Sequence, residues 1–134
     1  MKPITFRDFW PAILWFTILM VLICLPGKEL PKLGKWFDLF SMDKGIHAIL
    51  FGGLSFLSFR PIYQSGMNTG EKKDWLTRIC LSAAIWGLGT ELIQKFWVEG
   101  RSFDLRDWLA DSIGAAIYWT WMYLKINRQK QAGS

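Results

Sequence analysis

Ionisable side chains embedded in or beside long apolar runs single out His47, Glu91, Arg101, Asp107 and Asp111 as the residues of this chain best placed to do chemistry. Helical spacing would aim them together. Asp43 and His47 stand four apart, Glu91 and Gln94 three apart, and Asp104, Asp107 and Asp111 follow the i, i+3, i+7 period of one helical stripe. An imidazole beside carboxylates can move protons or attack a substrate; His47, Asp43 and Glu91 are the candidate catalytic groups, and Arg101 would stabilise developing charge. A metal-binding version uses His47, Glu91, Asp107 and Asp111 as nitrogen and oxygen donors for a divalent ion. A pure binding site would take Asp43, Lys44, His47, Glu91, Gln94, Arg101, Asp104, Asp107 and Asp111, with Arg101 on a phosphate and the acids holding Arg101 or receiving an amine. No dedicated motif such as HExxH favours one of these chemistries, so no catalytic residue or metal ligand is assigned and no cofactor is expected.

Each residue also has a plainer role open to it. Asp104 can cap the helix that follows, His47 can be a structural hydrogen-bond partner, Lys44 can snorkel to the headgroups, and Arg106 falls off the acidic stripe. A third reading is wholly structural, a small scaffold in which the cluster only locks helices together.

The elements that must position these groups are apolar helices. In 134 residues the chain is 51% hydrophobic with 9 Trp and 10 Phe, more apolar surface than a soluble domain this small can bury. A helix needs ~20 mostly apolar residues to cross a bilayer. Four stretches come close, giving expected helices at about 9–25, 44–60, 75–94 and 104–125, with Pro26-Gly27 and Arg60-Pro61 ending the first two. The fold class is therefore all-α, a polytopic bundle of four transmembrane helices in one domain over 1–131, and Ala132-Gly133-Ser134 reads as a vector-derived tail. Lys2 and Arg7 before an apolar run resemble a signal peptide, but no small-x-small cleavage site follows Leu25, so a retained first helix is expected. Small residues four apart, Ala48 and Gly52, Ala83 and Gly87, Ala110 and Gly114, predict that helices two, three and four pack closely. Glu91 continues the stripe of Gly87, and Asp107 and Asp111 that of Gly114, so the acids face the bundle.

Alternating topology puts the loops before helices two and four at one membrane face, where the cluster collects. At a rise of ~1.5 Å per residue, Asp111 lies roughly 10 Å below the interface. A charge at the bilayer centre costs ~2.5–3.5 kcal/mol on insertion scales, so these acids must be paired, protonated or solvated. A cytoplasmic N-terminus places nine of the 16 Lys and Arg inside against seven outside, which orients both termini to the cytoplasm. The basic residues are spread over every loop, which points to anionic lipid headgroups and away from nucleic acid. Cys24 and Cys80 fall at opposite faces, beyond the ~7 Å that a disulfide tolerates between Cα atoms. The polar-aromatic stretch from Pro26 to Met42 suits the headgroup region, 65–70 reads as a flexible loop, and Trp75, Trp86, Trp97, Trp108 and Trp119, at a constant interval of eleven, read as lipid-facing anchors.

Asp43-Lys44-x-x-His47-x-x-x-Phe51, Glu91-x-x-Gln94-x-Phe96 and Arg101-x-Phe103-Asp104-x-x-Asp107-x-x-Ala110-Asp111-x-x-Gly114 together resemble the VanZ-like family of bacterial membrane proteins. One departure is Asp111, where the family pattern usually has Asn. The resemblance implies a protein of the bacterial cytoplasmic membrane and cell envelope linked to low-level resistance to glycopeptides such as teicoplanin, with no target-modifying enzyme activity attached. Three functions follow for testing: a site that binds a lipid headgroup, a lipid-linked wall precursor or the drug; an intramembrane hydrolase or transferase acting on a lipid or polyprenyl phosphate; and the scaffold. Membrane lipids are the expected partners in all three.

Overall fold

A computed structural model describes residues 3–24 and 42–132, the side chains of Met42, Asp43 and Lys130 excepted. The polar-aromatic stretch from Pro26 lies outside the described residues up to Ser41. Among those described, the chain is all helix: a 3-10 turn Phe6–Phe9 leads into α1 (Trp10–Cys24), followed by α2 (Met42–Tyr63), α3 (Thr69–Trp97) and α4 (Leu105–Ala132).

The helices stop and start for local reasons. Pro61 lacks the N–H that the Leu57 carbonyl would receive, which costs the last turn one bond, yet α2 continues past it and ends at Tyr63. Asn68 caps α3 in a reciprocal box, its side chain accepting from the Glu71 N–H while Glu71 accepts from the Asn68 N–H, both at 2.9 Å. That box starts α3 at Thr69, earlier than the apolar pattern predicts, and shortens the expected 65–70 loop. Asp104 starts α4, its Oδ1 accepting from the Arg106 N–H at 2.8 Å.

Packing is densest where small residues stand. The broadest interface joins α2 to α4, with α3 against α4 next. A Cβ on Gly114 would lie 2.1 Å from the Ala48 carbonyl oxygen, and one on Gly52 would lie 3.2 Å from the Gly114 carbonyl oxygen, so the two backbones touch at this crossing. Phe51, Phe59, Leu76, Ala83, Ala115 and Met122 fill the rest of the interior. The first helix is peripheral: Leu19 and Ile23 reach the core, Trp15 lies over Gly53 and donates its indole N–H to the Leu50 carbonyl at 2.8 Å, and most other side chains are exposed. Cys24 and Cys80 are both free thiols.

Three segments, Phe6–Cys24, Lys44–Tyr63 and Thr69–Trp97, are long and apolar enough to cross a membrane. The fourth helix is long enough but does not meet that measure of apolarity, since Arg106, Asp107 and Asp111 open it and a polar run from Lys125 closes it. The tryptophan series divides. Trp75, Trp86 and Trp97 are exposed, whereas Trp108 donates to the Ala84 carbonyl at 2.9 Å and Trp119 to the Thr77 hydroxyl at 3.0 Å. An interval of eleven puts residues on one face without saying what that face meets; on α4 it meets α3.

Candidate functional site

The site is built where the N-terminal turns of α2 and α4 meet the C-terminal turns of α3. His47 comes from the second turn of α2, Glu91 and Gln94 from the end of α3, and Asp107 and Asp111 from the first two turns of α4. All five are buried, Glu91 and Asp111 completely. Gly87 makes this possible: Asp111 occupies the space its side chain would need, a Cβ there lying 2.9 Å from Asp111 Oδ2.

His47 Nδ1 and Asp111 Oδ1 are 2.9 Å apart across α2 and α4. Lys44 Nζ reaches Asp107 Oδ1 at 3.4 Å nearer the surface, a second link between the same helices. Glu91 is held differently from the sequence expectation that ties it to Arg101. Its Oε2 accepts the Asp104 N–H at 2.9 Å, so the acid of α3 anchors the backbone that begins α4, and among the described residues no ion pair joins it to Arg101. Asp104 serves as the cap. Gln94 turns towards α1, its amide donating to the Ile23 carbonyl at 3.4 Å, and Arg106 is exposed. Asp43 falls in the first turn of α2, but its side chain lies outside the described residues.

What stays unpaired matters as much. Glu91 Oε1, Asp111 Oδ2, Arg101 Nε and the Ser112 hydroxyl oxygen are buried with no hydrogen-bond partner among the described residues. Taking an amide or hydroxyl out of water without a partner costs ~1–3 kcal/mol by mutational measures, and a charge costs more. Ser112 was not among the residues singled out by spacing, nor was Thr90, which is buried beside Glu91 and donates its hydroxyl to the Gly87 carbonyl at 2.7 Å. A small polar residue next to an acid in an apolar helix was the available signal for both.

Two chemistries are open to this arrangement. Asp111 is placed to orient His47 as a carboxylate orients a general base. One donor atom from each of His47, Glu91 and Asp111 also falls within 4.8 Å of the other two, a separation that a single ion could bridge. Asp107, the fourth candidate ligand, is taken by Lys44.

No curated protein and no solved structure matches the chain. The VanZ/LLP1 family model matches residues 4–126, covering the first three helices, α4 as far as Ile126 and every residue of the cluster. With long apolar helices matched over nearly its whole length, the chain is a membrane protein and belongs to the VanZ/LLP1 family.

Proposed function

We propose that this protein of the bacterial cytoplasmic membrane engages, through its buried polar cluster, a phosphate-bearing headgroup in the outer leaflet, that of a lipid or of a lipid-linked wall precursor, and thereby contributes to glycopeptide resistance. In this reading α4 crosses the bilayer with the other three helices, since it packs along both α2 and α3, and both termini are cytoplasmic. The count of basic residues, nine inside against seven, supports that orientation.

Arg101 carries the proposal. It sits half-buried in the connection from α3 to α4, makes no ion pair among the described residues, and has its Nε buried without a partner. A guanidinium that pairs with no acid among the described residues is open to an external anion, and phosphate suits its forked geometry. The neighbouring acids set a second requirement, because a headgroup that also carries an amine would find carboxylate oxygens one helical turn deeper.

The test uses Arg101→Ala and Glu91→Gln in a strain whose teicoplanin tolerance depends on this protein, with the purified variants titrated against nanodiscs of phosphatidylglycerol or phosphatidylcholine. Tolerance should fall towards that of the deletion strain, and headgroup binding should weaken at least about tenfold for Arg101→Ala, as expected for a lost charge-assisted contact. Unchanged tolerance and binding in both variants would end this reading.

A further inference from the structure

Glu91 and Asp111 have no solvent exposure and share one interior with His47. Each carboxylate spends one oxygen inside the protein, Glu91 Oε2 on the Asp104 N–H and Asp111 Oδ1 on His47, and each keeps the other oxygen buried with no partner among the described residues. We propose that His47, Glu91 and Asp111 bind one divalent transition-metal ion of the zinc or manganese class, held among α2, α3 and α4.

Charge balance is the first argument. Among the described residues Lys44 pairs with Asp107, and of the two fully buried carboxylates Asp111 pairs with His47 while Glu91 has no ion pair. Protonating His47 neutralises one acid. A divalent ion neutralises both while the imidazole ligates as a neutral base, giving an assembly with no net charge, the form least costly to hold in a low-dielectric interior.

The donor set narrows the ion. One imidazole nitrogen with two carboxylate oxygens suits first-row transition ions better than magnesium or calcium, which favour all-oxygen shells. Among the described residues no cysteine joins the trio: Cys80 lies three turns back along α3, and Cys24 is exposed. Distances agree in kind. Bonds of about 2.1 Å put neighbouring ligand atoms roughly 3–3.4 Å apart, and His47 Nδ1 and Asp111 Oδ1 already stand at 2.9 Å. The widest separation in the trio is at most 4.8 Å, so closing on an ion asks for a side-chain adjustment of roughly 1.5 Å, within the reach of the flexible Glu91. The surroundings behave as an outer shell should: the Asp104 amide orients Glu91, and Gly87 leaves room for Asp111 to lean on α3.

Three protein ligands leave a coordination position open, as in metal sites that bind a substrate or water. A phosphate oxygen would fit that position if the headgroup reading holds, but the ion site does not rest on it.

The full chain, purified in neutral detergent and stripped with chelator, tests the site when titrated with Zn2+ or Mn2+ alone. Metal content after gel filtration and the Tm with and without metal are the readouts. We expect one equivalent of metal, a higher Tm on loading, and affinity lowered ~100-fold or more by Glu91→Gln and Asp111→Asn, beyond the 10–100-fold typical of outer-shell changes. Asp74→Asn, an exposed acid at the far end of α3, should bind as the unaltered chain does. Electron spin-echo spectra of the Mn2+ form should carry an imidazole nitrogen signal that His47→Asn removes. No stoichiometric metal on the unaltered chain, or full affinity retained in Glu91→Gln, overturns the proposal and leaves a His47–Asp111 ion pair beside a neutral Glu91; the unaltered chain decides this even where a variant fails to fold. Phosphatidylglycerol binding by the metal-stripped protein reports on the headgroup reading separately.

Discussion

The two ends of the α2–α3–α4 bundle both carry polar side chains and manage them in opposite ways. Where α2 ends and α3 begins, the groups stand at the surface and satisfy one another. Tyr63 and Gln129 exchange hydrogen bonds at 3.0 and 2.8 Å, Lys73 bonds Asn127 and lies 4.7 Å from the Tyr123 ring, and Lys125 sits 5.2 Å from the rings of both Tyr63 and Trp121. Cations on aromatic faces at a helix end are what an interfacial anchor needs, and stability with headgroup contact explains them. At the other end, acids and an imidazole are buried with oxygens to spare. Stability does not explain that, because apolar residues of similar volume commonly serve as well as a buried ion pair or better. The contrast marks the buried end as the one kept for a task.

The largest break in that contrast should come from Asp111→Ala, which removes the carboxylate at 2.9 Å from His47 inside the bundle. Removing one partner of a buried pair costs about 3–5 kcal/mol, and we expect a loss of that size by reversible unfolding in mixed micelles. A loss under about 1 kcal/mol would mean that this pair contributes no more than an exposed one, and the contrast between the two ends would fail. Next comes Gly114→Ala at the crossing between the two ends. Its Cβ would meet the Ala48 backbone at 2.1 Å, and neither helix can yield without separating. Overpacking against backbone should cost about 2–3 kcal/mol in the same assay.

Much of this contrast is legible in the sequence, and the reasons are physical. Helical period alone aims Asp107 and Asp111 along one stripe with Gly114, and small residues four apart locate the close crossing of α2 on α4, because both depend only on spacing within one helix. What escapes the sequence depends on contacts between segments. Glu91 looks like a partner of Arg101, yet it holds the Asp104 amide, a backbone group that no residue pattern reveals. Trp108 and Trp119 look like lipid anchors because their spacing shows a shared face, while the carbonyl of Ala84 and the hydroxyl of Thr77 that receive them lie on another helix. The early start of α3 escapes for a different reason. Residues 69–74 are polar and carry no apolar period, and only the Asn68–Glu71 box makes them helical.

The smallest effect belongs to the satisfied end. Tyr63→Phe removes the hydroxyl that exchanges hydrogen bonds with Gln129 but keeps the ring under Lys72 and Lys125. The amide oxygen and nitrogen of the exposed Gln129 remain open to water or headgroups, so neither is stranded. Net hydrogen-bond contributions are ~0.5–1.5 kcal/mol where a bond is buried, and at this exposed position the loss should be about 0.5 kcal/mol or less in the same unfolding assay. Two hydrogen-bonded pairs of similar length, Tyr63 with Gln129 and His47 with Asp111, would then differ severalfold in what they contribute, with burial as the cause. Should Tyr63→Phe cost as much as Asp111→Ala, burial would not separate the two ends, and the case for a task at the buried end would have to rest on Arg101 and the spare carboxylate oxygens alone.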